Sequence, residues 1–265
     1  MRRKIRIGAL ISGGGTNLQA VIDACEEGRI DGHMVFVGSD KSDARGLERA
    51  ANHSIATFVV DYGQIIRQYR AAPKDLCRPD DFDLQEVRQK QGFFDSRADA
   101  QKVAAFLTTR AVAERRLLDA MADLPVDLLI LAGFMRNLTP YFIDRFNIDP
   151  RRPRIMNIHP ALLPSFPGVD GYGDTYRYGC KVGGCTVHFI DYGEDSGPII
   201  GQKAFAIQEG DDLAAIQKRG LELEWQLYPE CIQLFAQDRL AVVVLTHALA
   251  NSQIMQRKVV RVGYK

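Results

Sequence analysis

Apolar residues crowd positions 5–11 (Ile-Arg-Ile-Gly-Ala-Leu-Ile) and then give way to Ser12-Gly13-Gly14-Gly15. So short and apolar a run predicts a strand buried on both faces, as at the centre of a parallel sheet. The pattern continues with a helix over 17–27, a strand over 34–37, a helix over 44–52 and a strand over 56–60. Val103, Phe106, Leu107, Val112, Leu117, Leu118 and Met121 recur at helical spacing and lead to an apolar strand over 128–132. Such alternation predicts an α/β fold, a Rossmann-like and mostly parallel sheet with helices on both faces.

The second half changes rhythm. A short apolar strand ends at His159, and stretches 184–191 and 198–206 predict an antiparallel hairpin in the C-terminal half. A helix over 212–236 follows, capped by Asp211 or Asp212, with Leu213, Ile216, Leu223, Leu227 and Phe235 as its buried stripe. Residues 240–245 and 258–262 are apolar enough to pair as two edge strands. Residues 62–100 break the alternation: they are polar, carry Pro73 and Pro79, and read as a partly helical insert of undisclosed role. We expect a single domain over 1–265: a first half to about 150 with the insert, a second half over 151–240, and an extension over 241–265.

Composition narrows the class. The chain has 265 residues, a charged fraction of 25% and a net charge of +1, so bulk electrostatics favour neither nucleic acid nor an anionic membrane. Nothing approaches the roughly 18–20 consecutive apolar residues of a membrane span. The basic start, Met-Arg-Arg-Lys, runs into a strand and a glycine loop rather than an export signal. Cys25, Cys77, Cys180, Cys185 and Cys231 are odd in number and lack C-x-x-C spacing, so they read as free thiols of a cytoplasmic protein with no metal site.

Three segments carry candidate chemistry. Ser12-Gly13-Gly14-Gly15-Thr16-Asn17 joins the first strand to the first helix, where glycine amides and a helix N-terminus suit a phosphate. It is neither a Walker loop nor a dinucleotide fingerprint. Asn157 and His159 lie one residue apart on a strand, so both point to one face, and Pro160 stops the strand. An amide donor beside an imidazole can hold a developing oxyanion. Asp195, just before Ser196-Gly197-Pro198, can orient His159 and favour its charged form. His188 alternates with buried positions and reads as structural. Trp225 reads as core or interface packing, and His33, His53 and His247 show no partner in the pattern.

Several stretches together resemble the phosphoribosylglycinamide formyltransferase family: 10–20, Gly46-Leu47-Glu48-Arg49-Ala50, Leu131-Ala132-Gly133-Phe134-Met135-Arg136, Asn157-Ile158-His159-Pro160 with Leu162-Leu163-Pro164, and Gly184-Cys185-Thr186-Val187-His188-Phe189. The resemblance covers most of 4–60 and 105–240. It implies formyl transfer from 10-formyltetrahydrofolate to the amine of glycinamide ribonucleotide, in purine synthesis, without a metal. It puts Asn157, His159 and Asp195 at the catalytic positions. Gly14, Gly15, Thr16 and Asn17 fall at the substrate phosphate. Leu131, Met135, Arg136, Leu138 and Asp191 fall at the folate, and Glu224 and Arg110 at the incoming substrate. The partners implied are small molecules, and a homodimer is left open. Methionyl-tRNA formyltransferase and formyltetrahydrofolate hydrolase share the core but carry further C-terminal or N-terminal domains, for which we expect no counterpart here. One departure lies near the chemistry: Gly168 leads into a tyrosine-rich stretch over 169–178, expected as a glycine-loosened loop, with Asp170 where the family has a histidine. Transfer to another small phosphorylated or nucleotide-sugar amine, or a non-catalytic folate- or nucleotide-binding module, are the competing readings.

Overall fold

The computed structural model describes residues 3–149, 151–248 and 253–263. In chain order the elements of the first half are β1 (Ile5–Ile11), α1 (Thr16–Glu26), β2 (Gly32–Ser39), α2 (Arg45–Asn52), β3 (Ala56–Val59), α3 (Tyr62–Ala71), α4 (Leu84–Lys90), α5 (Ala100–Met121), β4 (Leu128–Leu131) and α6 (Pro140–Phe146). The second half holds β5 (Ile155–His159), α7 (Gly171–Arg177), β6 (Val182–Phe189), β7 (Ile199–Ala206), α8 (Leu213–Ala236), β8 (Leu240–Ala248) and β9 (Ile254–Val262). Seven strands form one sheet in the order β3-β2-β1-β4-β5-β6-β7, parallel as far as β5 and antiparallel from β5 to β7.

Period-two alternation sends successive strand residues to opposite faces. Ile7, Ala9, Ile11, Leu128 and Ile130 pack with Leu18, Val21 and Ile22 of α1 and Leu227 and Tyr228 of α8. Leu10, Leu129, Leu131 and Ile155 pack with Val112 and Leu117 of α5 and Phe142 of α6 on the other face. Both faces are therefore covered, which is why these strands read as unbroken apolar runs. Tyr228 ties the layers together: its buried hydroxyl lies 3.0 Å from the Leu131 carbonyl and 2.9 Å from that of Met156.

The structure revises several expectations. The insert folds as α3 and α4, and Val87 packs on Val103, Leu107 and Tyr141. Helix α6 has no clear apolar period; it starts at Pro140, and the preceding Thr139 gives its N–H and hydroxyl to buried Glu114 at 2.7 and 2.5 Å. Residues 171–177 are helix rather than loosened loop. Strands β8 and β9 pair with each other as a separate antiparallel sheet, and Leu240, Val242 and Val260 lie against the main core. Leu213 is only half-buried, and Trp225, 39% exposed, is not a core residue. Among the described residues no helix is long and apolar enough to cross a membrane.

Candidate active site

A cavity of about 440 Å³ opens where β1, β4 and β5 end. The end of β4 supplies Leu131, the loop after it Met135, Arg136 and Leu138, and β5 supplies Asn157 and His159. The β6–β7 loop supplies Asp191 and Asp195, while α8 supplies Glu224 and α5 supplies Arg110. Asn17 reaches the cavity from the first turn of α1. Gly14, Gly15 and Thr16 do not line it. They form the adjoining α1 N-terminus, where Gly15 sits at φ 68° and no side chain caps the helix. A Cβ at Gly15 would lie 2.8 Å from the Gly46 Cα, so only glycine fits this crossing.

Strand pairing sets the chemical centre. Asn157 stands opposite Leu131 on one side and His188 on the other. His159 is 3% exposed; its Nε2 lies 2.8 Å from the Phe166 carbonyl and its Nδ1 lies 3.2 Å from Asp195 Oδ2. The carbonyl can only accept, so Nε2 carries a proton. Burial lowers the His159 pKa below the ordinary histidine value, while Asp195 and the Phe166 carbonyl pull it back in part. Asp195 favours the charged ring, as expected, but burial outweighs it and the net direction is downward. Burial raises the Asp195 carboxyl, but His188, His159 and the Gly168 amide outweigh it and hold it below the usual carboxylate range. The Gly168 N–H donates to Asp195 Oδ2 at 2.8 Å.

His188, which the sequence pattern assigned to structure, belongs to this cluster. Its Nδ1 faces the Phe189 carbonyl at 3.0 Å and so holds a proton. Its Nε2 lies 3.2 Å from the Asn157 amide nitrogen and 3.5 Å from Asp195 Oδ1. The ring thereby turns the Asn157 amide nitrogen inward and keeps one of its protons for the cavity. Only the antiparallel register of β5 on β6 reveals this, and that register is not written in local periodicity.

A second buried cluster on the cavity wall is built around Glu224, which is 4% exposed. Asn17 Nδ2 and the Tyr172 hydroxyl each donate to its carboxylate at 2.6 Å. Burial raises the Glu224 carboxyl, and the two donors pull it back in part. Asn17 thus spends its amide nitrogen on Glu224, and its buried Oδ1 has no partner. At the folate-assigned positions, Arg136 pairs with buried Asp40 at 2.6 Å, and Asp191 accepts from Ser196 at 2.6 Å and from the Gly193 N–H at 3.1 Å. Met135 stands 53% exposed at the rim.

Away from the cavity, His53 has partners after all: Glu26 at 2.6 Å and Gln19 at 3.1 Å. Asp23, Glu26 and His53 bring ligand-type atoms within 4.8 Å of one another, and none of the three lines the cavity. The five cysteines are all free thiols.

A family model for formyl transferases matches residues 5–232. This chain belongs to the formyl transferase family. It is 32% identical over 222 residues to phosphoribosylglycinamide formyltransferase of Bacillus subtilis, covering 84% of this chain and 90% of that one. It is also 32% identical to the Escherichia coli enzyme of the same name, covering 89% of each chain. Among solved structures, glycinamide ribonucleotide transformylase 1 from Symbiobacterium toebii superposes with a TM-score of 0.69 at 36% identity, covering 99% of this chain and 95% of that one. The match to the Symbiobacterium chain extends over nearly the whole length, insert and C-terminal strands included.

Proposed function

We propose that this chain is a folate-dependent enzyme that transfers the formyl group of 10-formyltetrahydrofolate to the amine of glycinamide ribonucleotide, a step of purine biosynthesis. The observation that carries the reading is the grouping of Asn157, His159 and Asp195 on the wall of a cavity that Glu224 and Asn17 also line. The relatives named above support the choice of donor and acceptor. The formyl donor occupies the side lined by Leu131, Met135, Arg136, Leu138 and Asp191. The ribonucleotide phosphate sits at the α1 N-terminus, over the amides of Gly14 to Asn17. Its sugar and amine lie near Glu224, while Arg110, which shares the Tyr62 ring with Arg136, falls on the donor's side.

The residues then divide the work. The acceptor amine attacks the formyl carbon, and the carbonyl oxygen becomes an oxyanion. The free amide proton of Asn157 binds that oxygen. Resting His159 is neutral because it is buried, and its bare Nδ1 takes up the proton released by the attacking amine. The resulting imidazolium is stabilised by Asp195 and adds positive charge beside the oxyanion. Collapse returns the proton to the departing folate nitrogen, leaving tetrahydrofolate and the formylated amine. Each step balances with this chain's own groups, and the partners are small molecules in the cytoplasm.

The test is an assay with purified protein, 10-formyltetrahydrofolate and glycinamide ribonucleotide, run beside His159→Ala. Tetrahydrofolate release that requires the ribonucleotide and drops by about 10²–10³-fold in the variant supports the reading. Equal rates in the two proteins would overturn the role of His159. No ribonucleotide-dependent release from the unaltered chain would overturn the acceptor.

A further inference from the structure

The insert over 62–100 plays no part in the reading above, yet it reaches the cavity. After α4 the chain turns at Gln91, whose side-chain oxygen accepts from the N–H groups of Phe93 and Phe94 at 2.8 and 2.9 Å. The turn clasps the β6–β7 loop. The Gly92 N–H donates to the Tyr192 carbonyl at 2.7 Å, and a Cβ at Gly92 would lie 3.3 Å from the Gly193 Cα. Lys90 pairs with Asp144 at 2.8 Å, and the Tyr192 hydroxyl donates to the same carboxylate. The clasped loop is the one that carries Asp195.

Phe93 itself lines the cavity. Its ring stands 6.4 Å from that of Phe106, which lies 4.7 Å from the Arg110 guanidinium. Arg110 and Arg136 share the Tyr62 ring, at 5.0 and 5.5 Å from its centroid. Arg110 is 8% exposed, and its Nε donor is unspent. This end of the cavity therefore joins an aromatic wall to two cations. An aryl group that carries a carboxylate satisfies both, its face on Phe93 and its anion on a guanidinium. A phosphosugar offers no such face.

We infer that the insert is part of the active site, with Phe93 a specificity-determining wall for the aryl-carboxylate end of the formyl donor. The donor's identity rests on the function proposed above: the aminobenzoyl-glutamate portion of a folate is such a group. The clasp makes the same insert hold the Asp195 loop, so the donor wall and the proton-handling loop are one mechanical unit.

The experiment compares the full chain with Phe93→Ala and Phe93→Leu by calorimetric titration with tetrahydrofolate, together with steady-state kinetics and thermal midpoints. Phe93→Ala is expected to weaken tetrahydrofolate by about tenfold, and Phe93→Leu by less. The loss appears in the donor's KM rather than in the KM for the ribonucleotide. Unchanged tetrahydrofolate affinity in Phe93→Ala overturns the inference. So does an equal loss for donor and acceptor accompanied by a lower thermal midpoint. A chain that binds tetrahydrofolate, more weakly as Phe93→Ala, but does not formylate glycinamide ribonucleotide supports this inference and overturns only the acceptor. A chain that binds no tetrahydrofolate overturns both.

Discussion

At His159 two acceptors compete for one proton. Nε2 is committed to the Phe166 carbonyl, and Nδ1 faces Asp195 without a proton while the ring is neutral. Catalysis by the neutral ring gives a signed pH dependence. Activity is present above the His159 pKa and is lost as pH falls through it, so the acid limb of kcat/KM lies below the ordinary value of 6.5. Asp195 is the main group pulling that pKa back up. Asp195→Asn should therefore move the limb to lower pH and depress the plateau by about 10²-fold or more. A pH–rate profile of the two proteins checks this, and an unmoved limb would assign the titration to another group. Residue identity made Asn157, His159 and Asp195 legible in the sequence. It could not show that burial would outweigh Asp195, or that His188 would orient the Asn157 amide, because both depend on what surrounds the ring.

Helices α7 and α8 meet through a notch. Gly220 lacks the Cβ that would lie 2.1 Å from the Tyr172 ring, and so the ring lies across α8 and reaches Glu224. Gly220→Ala fills the notch and displaces Tyr172. The expected result is a loss of about 1–3 kcal/mol in denaturant unfolding, together with weaker ribonucleotide binding by titration. Normal stability with unchanged binding would show that Tyr172 finds room elsewhere. The same crowding explains why α7 was hidden. Gly171 and Gly173 look like loop residues, yet a Cβ on either would meet the Pro160 carbonyl at 2.5 Å or the Asp170 carboxylate at 2.1 Å. These glycines serve close packing, which local spacing does not record. By contrast β1 and β4 were plain, because burial on both faces of a sheet imposes an unmistakable apolar run, and α5 was plain from its apolar residues at helical spacing. Helix α6 was missed because its start depends on Glu114, 25 residues earlier in the chain.

Across the whole molecule, the cavity sits where the sheet changes direction of growth. The chain adds β2 and β3 on one side of β1, then crosses to add β4 and β5 on the other. Loops leaving β1 and β4 diverge at that point and open a crevice at the strands' C-terminal ends. Beneath it Glu114 is wholly buried, and burial raises its carboxyl to about 7, opposed by the bonds from Thr139 and the charge of Arg110. Since the folded value exceeds the unfolded one of 4.5, the folded chain binds the extra proton, and stability falls as pH rises from about 4.5 through 7. Glu114→Gln should remove up to about 3 kcal/mol of that pH dependence, as read from unfolding curves at pH 5 and 8. An identical slope in the variant would place the titration elsewhere. Tyr228 has its own consequence at this scale. Its hydroxyl fastens α8 to the last residue of β4 and the second of β5, one helical turn from Glu224 and one residue from Asn157. The span between Glu224 and Asn157, which we propose hold the acceptor and the developing oxyanion, is thus cut to length by the fold. The crevice is a gauge: it measures a molecule of one size rather than closing around whichever arrives.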